Sequence, residues 1–367
     1  MKRIAVLVNG PGELWAWGRP FLAELEKAGH EVDLFLLPCQ FASGVEARLA
    51  PLLGASRITH PGGFWTNLAR RERPFPEVVL QLGGDLVYGR ALAARNGSPL
   101  FSYSYGPKKG LAACKAVFTA CEAMAAPMRL SARIPVEVVG DLVADALVMD
   151  AGDAPWEGAG LRIVIFPGSR PAIRRKALPY MTEFLGVAKT LMPGNQWVVL
   201  LYPFCEPEEA SLWEKAGFRV SLAGTGAVLA EADAALTQPG TNTLELLHAG
   251  VPSIVAVPDD FLGQVPSPTL LAPLFGLPLF GLALKRRAFR RYIGKKGFLS
   301  WPNRLSGKEV FPEITGKVSP EALARRFTSF AGDGEWIAET RKGLERIDRG
   351  PSKAASRLRE RIMENLQ

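Results

Sequence analysis

Two short segments in the second half of the chain carry the residue types that bind phosphate. Phe166-Pro167-Gly168-Ser169-Arg170 ends an apolar run in a tight turn. Gly168 permits close backbone approach, Ser169 offers a hydroxyl, and Arg170 can form two parallel hydrogen bonds to a phosphate. By itself this motif is equally well a strand-end turn with a solvated arginine. Thr237-Gln238-Pro239-Gly240-Thr241-Asn242-Thr243-Leu244-Glu245 also follows an apolar run, and it opens a helix that runs through His248 and stops at Gly250. Gly240, Thr241, Asn242 and Thr243 would present backbone N–H groups and polar side chains to an anion at that helix start. Glu245, within the first turns, can accept from ribose hydroxyls. Alone, capping by Thr241 or Thr243 is the simpler account. With both turns one sheet position apart, the pair points to a diphosphate held between two loops.

The first half supplies candidate carboxylates. Taking a proton from a substrate hydroxyl needs a base. Asp85 follows Gly83-Gly84 at the end of a buried run, where loops of a parallel sheet face a ligand; the structural alternative is a turn or cap aspartate. Glu13 is second, at the first strand–helix turn, where an acidic residue also suits a helix's first turn. His60 and His248 are weaker. In the third polar segment, Leu299–Glu313, the residues Asn303, Lys308, Glu309 and Glu313 are expected to line the cleft, as a polar loop followed by a helix. The chain has neither a G-x-x-x-x-G-K-[ST] loop nor a G-x-G-x-x-G fingerprint. It also lacks a D-x-D triplet, so no metal and no cofactor is expected, and arginine with a helix dipole would stabilise the leaving diphosphate.

Apolar runs that alternate with helical patterns must position these residues. Strands are expected at Ile4–Val8, Val32–Leu37, Val78–Leu82, Leu100–Tyr103, Ala116–Thr119 and Val136–Val139, with a helix at Pro20–Ala28. A Gly/Pro/Asp-rich stretch follows at 150–160. The pattern then restarts with strands at Arg162–Phe166, Trp197–Tyr202, Arg219–Leu222, Ala234–Thr237 and Ser253–Val257, and helices at Pro179–Leu191 and Thr243–Ala249. Continuous buried runs separated by helices imply parallel sheets covered on both faces. The expected architecture is α/β: two Rossmann-like domains, 1–150 and 161–345, whose sheets face a cleft. A charged helix at 346–367 would return to brace the first domain.

Bulk properties narrow the partners. The chain has 367 residues, of which 48% are hydrophobic, enough for two cores. Four scattered cysteines form no C-x-x-C pair and fit a reducing cytosol. The opening MKRIAVLVNGPGE reads as a buried strand, not a secretory signal. The net charge is +8. Much of it crowds at Lys285, Arg286, Arg287, Arg290, Arg291, Lys295 and Lys296, after the uncharged stretch Val265–Leu284. Pro266, Pro268, Pro273 and Pro278 would break a spanning helix. The insertion 265–300 therefore reads as an apolar element dipping into an anionic membrane surface, pinned by the basic cluster. Few aromatics interleave with that cluster, so nucleic acid is not expected as a partner.

The motifs in this order resemble the lipid-A-disaccharide synthase family, metal-independent inverting glycosyltransferases of the GT-B fold. That family's L-P-G-S-R loop is matched by Phe166–Arg170, its S-G-T-A-T-L-E-like helix start by Pro239–Glu245, and its P-N-L…R-E…P-E-like segment by Pro302–Glu313, with Lys308 in the basic position. Asn9-Gly10-Pro11-Gly12-Glu13 looks like its first Gly/Glu loop, Pro76-Glu77 through Asp85 like a strand end, and Gly140-Asp141-Leu142 with Asp145 like its G-H-P-L-x-D turn. The resemblance implies transfer of a glucosamine-type sugar from a UDP donor to a lipid acceptor with release of UDP, at the cytoplasmic membrane face. It implies substrate contacts from Gly12, Gly168, Ser169, Arg170, Gly240, Thr241, Asn242, Thr243, Glu245, Asn303, Lys308 and Glu309, and a homodimer through the C-terminal segment. The family's aromatic S-P-S-x-W-A-W loop is replaced here by Ser102-Tyr103-Ser104-Tyr105-Gly106-Pro107-Lys108, so the acceptor need not be a lipid A precursor. A UDP-sugar epimerase, a peptidoglycan-type transferase and a non-catalytic nucleotide-sugar or lipid binder are the alternatives.

Overall fold

The computed structural model describes residues 1–39, 44–70, 74–131, 133–150, 153–168, 170–201, 205–262, 287–288, 291, 294 and 297–366. The stretch Val265–Leu284 lies outside the described residues, as do Ser169, Lys285, Arg286, Arg290, Lys295 and Lys296; Arg287 and Arg291 are described and exposed. No helix among the described residues is long and apolar enough to cross a membrane. The chain divides into two compact units, Met1–Met149 with Asp348–Gln367, and Asp150–Ile347.

In the first unit the strands are β1 (Arg3–Val8), β2 (Glu31–Leu36), β3 (Arg57–Thr59), β4 (Val78–Leu82), β5 (Leu100–Tyr103), β6 (Ala116–Thr119) and β7 (Val136–Val138). They form one parallel sheet in the order β3-β2-β1-β4-β5-β6-β7. The order reverses between β1 and β4, which is where loops beyond the strand ends diverge and leave room for a ligand. Ile4, Ala5, Val6 and Leu7 have no exposed surface, as a strand covered on both faces requires. The short edge strand β3 was not anticipated. Its three residues are only half-buried, and Arg57 pairs with Asp33, so no apolar run announces it.

In the second unit β8 (Arg162–Ile165), β9 (Gln196–Leu200), β10 (Arg219–Ser221), β11 (Ala234–Thr237), β12 (Ser253–Pro258) and β13 (Glu313–Gly316) run parallel in the order β10-β9-β8-β11-β12-β13. The reversal falls between β8 and β11, directly below the two anion-binding candidates. The helix after β8 begins at Pro171, not Pro179, and absorbs Pro179 in its interior. The 299–313 segment is also reordered. A helix, Trp301–Ser306, comes first, and a loop then leads into β13, because the carboxylate of Glu313 collects donors from the helix start (below).

The helix Ala354–Glu364 belongs to the first unit, where it packs on helices Arg19–Lys27 and Leu142–Met149. Leu358 and Ile362 are fully buried there, worth roughly 1.5–3 kcal/mol each. Its first turn is capped in trans, since Ala355 N donates to Asp145 Oδ2 at 2.7 Å. Arg359 pairs with Glu24 at 2.9 Å and Arg361 with Glu137 at 3.2 Å. The strap leading into it crosses the sheet edge backbone to backbone. A Cβ at Gly350 would strike the carbonyl of Ala120, and one at Gly140 would strike that of Pro351 and lie 3.2 Å from Ala354 Cβ; both glycines have positive φ. Gly350→Ala or Gly140→Ala is expected to cost at least about 2 kcal/mol. Gly97→Ala, also at positive φ but with open space around it, should cost about 1 kcal/mol. Thermal denaturation of the three variants checks this: equal shifts would show that the backbone crossing adds nothing.

Candidate active site

In the first unit, the loops beyond β1, β4 and β5 bring together Glu13, Gly83-Gly84-Asp85 and Lys108. Gly12 and Glu13 lie in the short Pro11–Glu13 helical turn, and both are half-buried. A π-helical turn, Leu14–Gly18, follows at once, closed by Arg19 N–H donating to Leu14 O. Such turns recur at functional sites. The glycines are required sterically. Gly83 and Gly84 have φ of 69° and 60°. A Cβ at Gly83 would collide with the Glu13 carboxyl, 2.7 Å from Oε2, and one at Gly84 would lie 2.7 Å from Asn9 Cβ. Beneath them Gln81, fully buried on β4, organises the turn: Nε2 donates to Gly83 O (3.0 Å) and Asp85 O (2.7 Å), and Oε1 accepts from Gly89 N (2.9 Å). Lys108 Nζ donates to Gly83 O (3.1 Å) and Gly84 O (3.3 Å).

Oxygen Oε2 of Glu13 is buried and has no hydrogen-bond partner. Burial pushes its carboxyl pKa up to about 7, against the pull of Lys108 and a backbone hydrogen bond at Asn9. Burial also brings the Lys108 ammonium down to about 8, opposed by Glu13, Cys114 and Asp85. A carboxyl poised near neutrality suits proton transfer. Asp85 is placed differently. It is exposed, and Oδ1 accepts from Val87 N at 3.1 Å, the turn geometry that its position after Gly-Gly also allowed. Beside these lies an aromatic cluster. Trp17 Nε1 donates to Tyr105 OH at 2.9 Å, and Tyr105 OH donates to Asp141 Oδ1. Trp17 packs edge-on to Tyr103 and Tyr105 with centroids 5.3 and 4.7 Å apart.

In the second unit the helix Asn242–Ala249 starts without a side-chain cap. Thr241 is its first flanking residue and does not bond forward. The hydroxyl of Thr243, fully buried, donates to Gly240 O (2.8 Å) and accepts from Trp301 N (3.1 Å). Asn242 donates to Thr237 Oγ1. The capping account of Thr241 and Thr243 is thus not what is seen. Glu245 is half-buried in the first turn, and Gly240 is exposed at the turn's tip. Gly168, at φ 112°, sits where a Cβ would lie 3.0 Å from Ile173, and Gln238 ties the neighbouring turn to it by donating to Pro167 O at 3.0 Å. Arg170, half-buried, flanks the helix Pro171–Leu191. Arg174, one turn further and 1% exposed, was not singled out from sequence. It forms a bidentate pair with Glu209 (2.7 and 2.6 Å) beneath the Gly168 turn.

The third segment is a structural clamp. Glu313 accepts from Leu299 N, Ser300 N, Ser300 Oγ and Asn303 Nδ2, all at 2.8–3.0 Å. Asn303 has no exposed surface; Oδ1 accepts from Val310 N (2.7 Å) and Phe311 N (2.8 Å). Asn303 therefore does not line an open surface: all its polar atoms are used by the backbone around it. Glu309 and Lys308 are exposed, with Glu309 accepting from Glu313 N at 3.2 Å. Among the described residues no group of three His, Cys, Asp or Glu is placed to hold a metal ion.

No protein-family model matches the sequence, and no curated protein is similar to it. Solved structures are. The calicheamicin glycosyltransferase CalG4 is 14% identical over 100% of this chain and 98% of its own, with a TM-score of 0.58. MurG of Acinetobacter baumannii is 14% identical over 99% and 100%, with a TM-score of 0.57. The UDP-GlcNAc 2-epimerase of Neisseria meningitidis, bound to UDP-GlcNAc, is 13% identical over 98% and 100%, with a TM-score of 0.60. At such identities the likeness establishes the fold: two parallel α/β sheets of GT-B type.

The raised Glu13 pKa has a measurable sign. In the unfolded chain the carboxyl ionises near 4.5, and in the folded one near 7. Its stabilising share is complete below about 4.5 and is lost as pH rises through 7. Glu13→Gln should therefore match the parent at pH 4.5 and exceed it by up to about 3 kcal/mol at pH 8.5, from roughly 2.5 units at 1.36 kcal/mol each. Thermal denaturation across that range tests it; a difference independent of pH would refute the burial of this charge.

Proposed function

We propose that the chain is an inverting glycosyltransferase that moves a glucosamine-type sugar from a UDP donor to a lipid acceptor, without a metal ion. The observation that carries this reading is Glu13: a buried carboxylate oxygen without a partner, titrating near neutrality. The acceptor hydroxyl would donate to Oε2. As its oxygen bonds to the anomeric carbon, the proton passes to Glu13 and the bond from that carbon to the diphosphate oxygen breaks. In the second unit the uncapped helix start at Thr241 and the guanidinium of Arg170 would take the developing charge on UDP. The fold supports the reading, because a calicheamicin glycosyltransferase shares it. Membrane contact through 265–300 and an anionic, cytoplasm-facing surface belong to the same proposal and rest on composition and on the family resemblance.

A second reading, a UDP-sugar epimerase, is favoured by one observation: an epimerase bound to UDP-GlcNAc is similar in fold over 98% of this chain. An epimerase needs no acceptor. UDP release from UDP-N-acetylglucosamine or its diacylated form, measured with and without lipid extract and anionic vesicles, separates the two. Lipid-dependent release is expected. A change in sugar configuration without lipid would establish the epimerase, and UDP binding without turnover would leave a binding protein.

Within the transferase reading, Glu13→Gln should lower turnover roughly 100- to 10,000-fold, and turnover of the parent should rise as pH passes about 7. Asp85→Asn should cost much less; the reverse ranking would return the base to Asp85. Arg170→Ala should weaken UDP binding about 10- to 100-fold, as loss of a charged hydrogen bond does. Unchanged affinity in a calorimetric titration would remove the arginine from the diphosphate site.

A further inference from the structure

The Glu13 carboxyl is wedged against a backbone turn that another side chain holds open. Gly83 and Gly84 are successive residues with positive φ, and the carboxyl occupies the space a side chain at 83 would fill. Their carbonyls accept from side-chain donors. Gly83 O takes one from Gln81 Nε2 and one from Lys108 Nζ, and Gly84 O takes a second from Lys108 Nζ. Gln81 is fully buried and could hold the first carbonyl alone. Gly84 has only Lys108 among the described side chains. The ammonium also sits close enough to Glu13 to act on it electrostatically, yet forms no ion pair with it: among the described residues its hydrogen-bond partners are the two carbonyls. The other titratable groups around this spot are Asp85 on the same turn, Cys114 behind Lys108 with Arg90 beyond it, and Cys39, whose sulfur faces Gly10. Among the described residues, Lys108 is the one cation that acts on Glu13 there.

We infer that Lys108 is a positioning residue for Glu13: it pins the Gly83-Gly84 turn that shapes the carboxylate's seat and supplies the positive charge that lets a partnerless buried carboxylate ionise. This rests on the reading of Glu13 as the base. A lysine bound to carbonyls serves this role better than one paired to the carboxylate. A direct ion pair would occupy Oε2 and hold Glu13 ionised well below neutrality. A charge held a short distance off favours ionisation while leaving the oxygen open to a substrate hydroxyl.

The test has two readouts. Lys108→Met should lower kcat at pH 7 about tenfold or more, with the KM for the UDP donor little changed. The acid limb of its pH profile should move up by about one unit, the usual effect of removing a neighbouring opposite charge. Lys108→Arg keeps the charge and should restore the limb toward its parent position, and it also covers the case in which the methionine variant folds poorly. The second readout needs no substrate. The stability difference between each protein and its Glu13→Gln derivative begins at the unfolded-state pKa and levels off at the folded-state one, so its upper midpoint, where it levels off, reports the Glu13 titration in the folded protein. That midpoint should move up with Lys108→Met and stay near its parent value with Lys108→Arg. A midpoint unmoved by Lys108→Met overturns the proposal, whatever the turnover. A midpoint that moves in a protein showing no turnover with any UDP-sugar keeps the Lys108–Glu13 coupling and removes the transferase reading instead.

Discussion

The site in the first unit depends on one exclusion of volume. The Glu13 carboxyl lies where the side chain of residue 83 would be, so only a residue without one can stand there. From that contact the rest follows. The turn after β4 must run through two left-handed residues, which glycine alone tolerates cheaply. The carbonyls of that turn accept from Gln81 and Lys108. The buried, unpaired oxygen that results is costly to ionise. Stability is given up at that point, as is common where a carboxyl must change protonation state.

The second unit reaches a comparable arrangement by withholding a cap. Threonines at a helix start ordinarily bond forward to the free N–H groups. Here Thr243 turns instead to Gly240 and to the backbone of Trp301, which ties the 299–313 segment to the helix and leaves its start without a side-chain cap. Glu313 and Asn303 then stiffen that segment internally. Arg174 and Glu209 do the same below the Gly168 turn. Polar residues that look like ligand contacts in a bare sequence are in these cases supports for the neighbouring loops.

The pattern of what was legible follows from this. Fully apolar strands such as Val78–Leu82 and Ala234–Thr237 are readable because burial on both faces leaves a continuous run. β3 and β13 are not, since they are short, half-buried edges that carry Arg57 and Glu313. The Gly/Glu loop of Glu13 and the two Gly-containing turns after β8 and β11 stand out by residue type. Asn303 was misplaced because composition cannot tell a polar side chain facing solvent from one consumed by buried backbone. Lys108 and Gln81 were passed over for a related reason. Their significance lies in reaching a turn more than 20 residues away for Lys108, and in being a polar residue inside a buried strand for Gln81. The latter was a signal available in the sequence, since a glutamine amid Val-Val-Leu and Leu must find partners.

The first unit is assembled from two stretches of chain separated by the whole of the second, Asp150–Ile347. On the ribosome that interval, roughly 200 residues, takes about 10–40 s to make at typical rates. Throughout it, the groove that Leu358 and Ile362 will fill, on the helices Arg19–Lys27 and Leu142–Met149, has no occupant from its own chain. The nascent first unit thus lacks its own covering helix over a defined window. Completion of the second unit, not of the first sheet, marks the moment when the protein can close its first core.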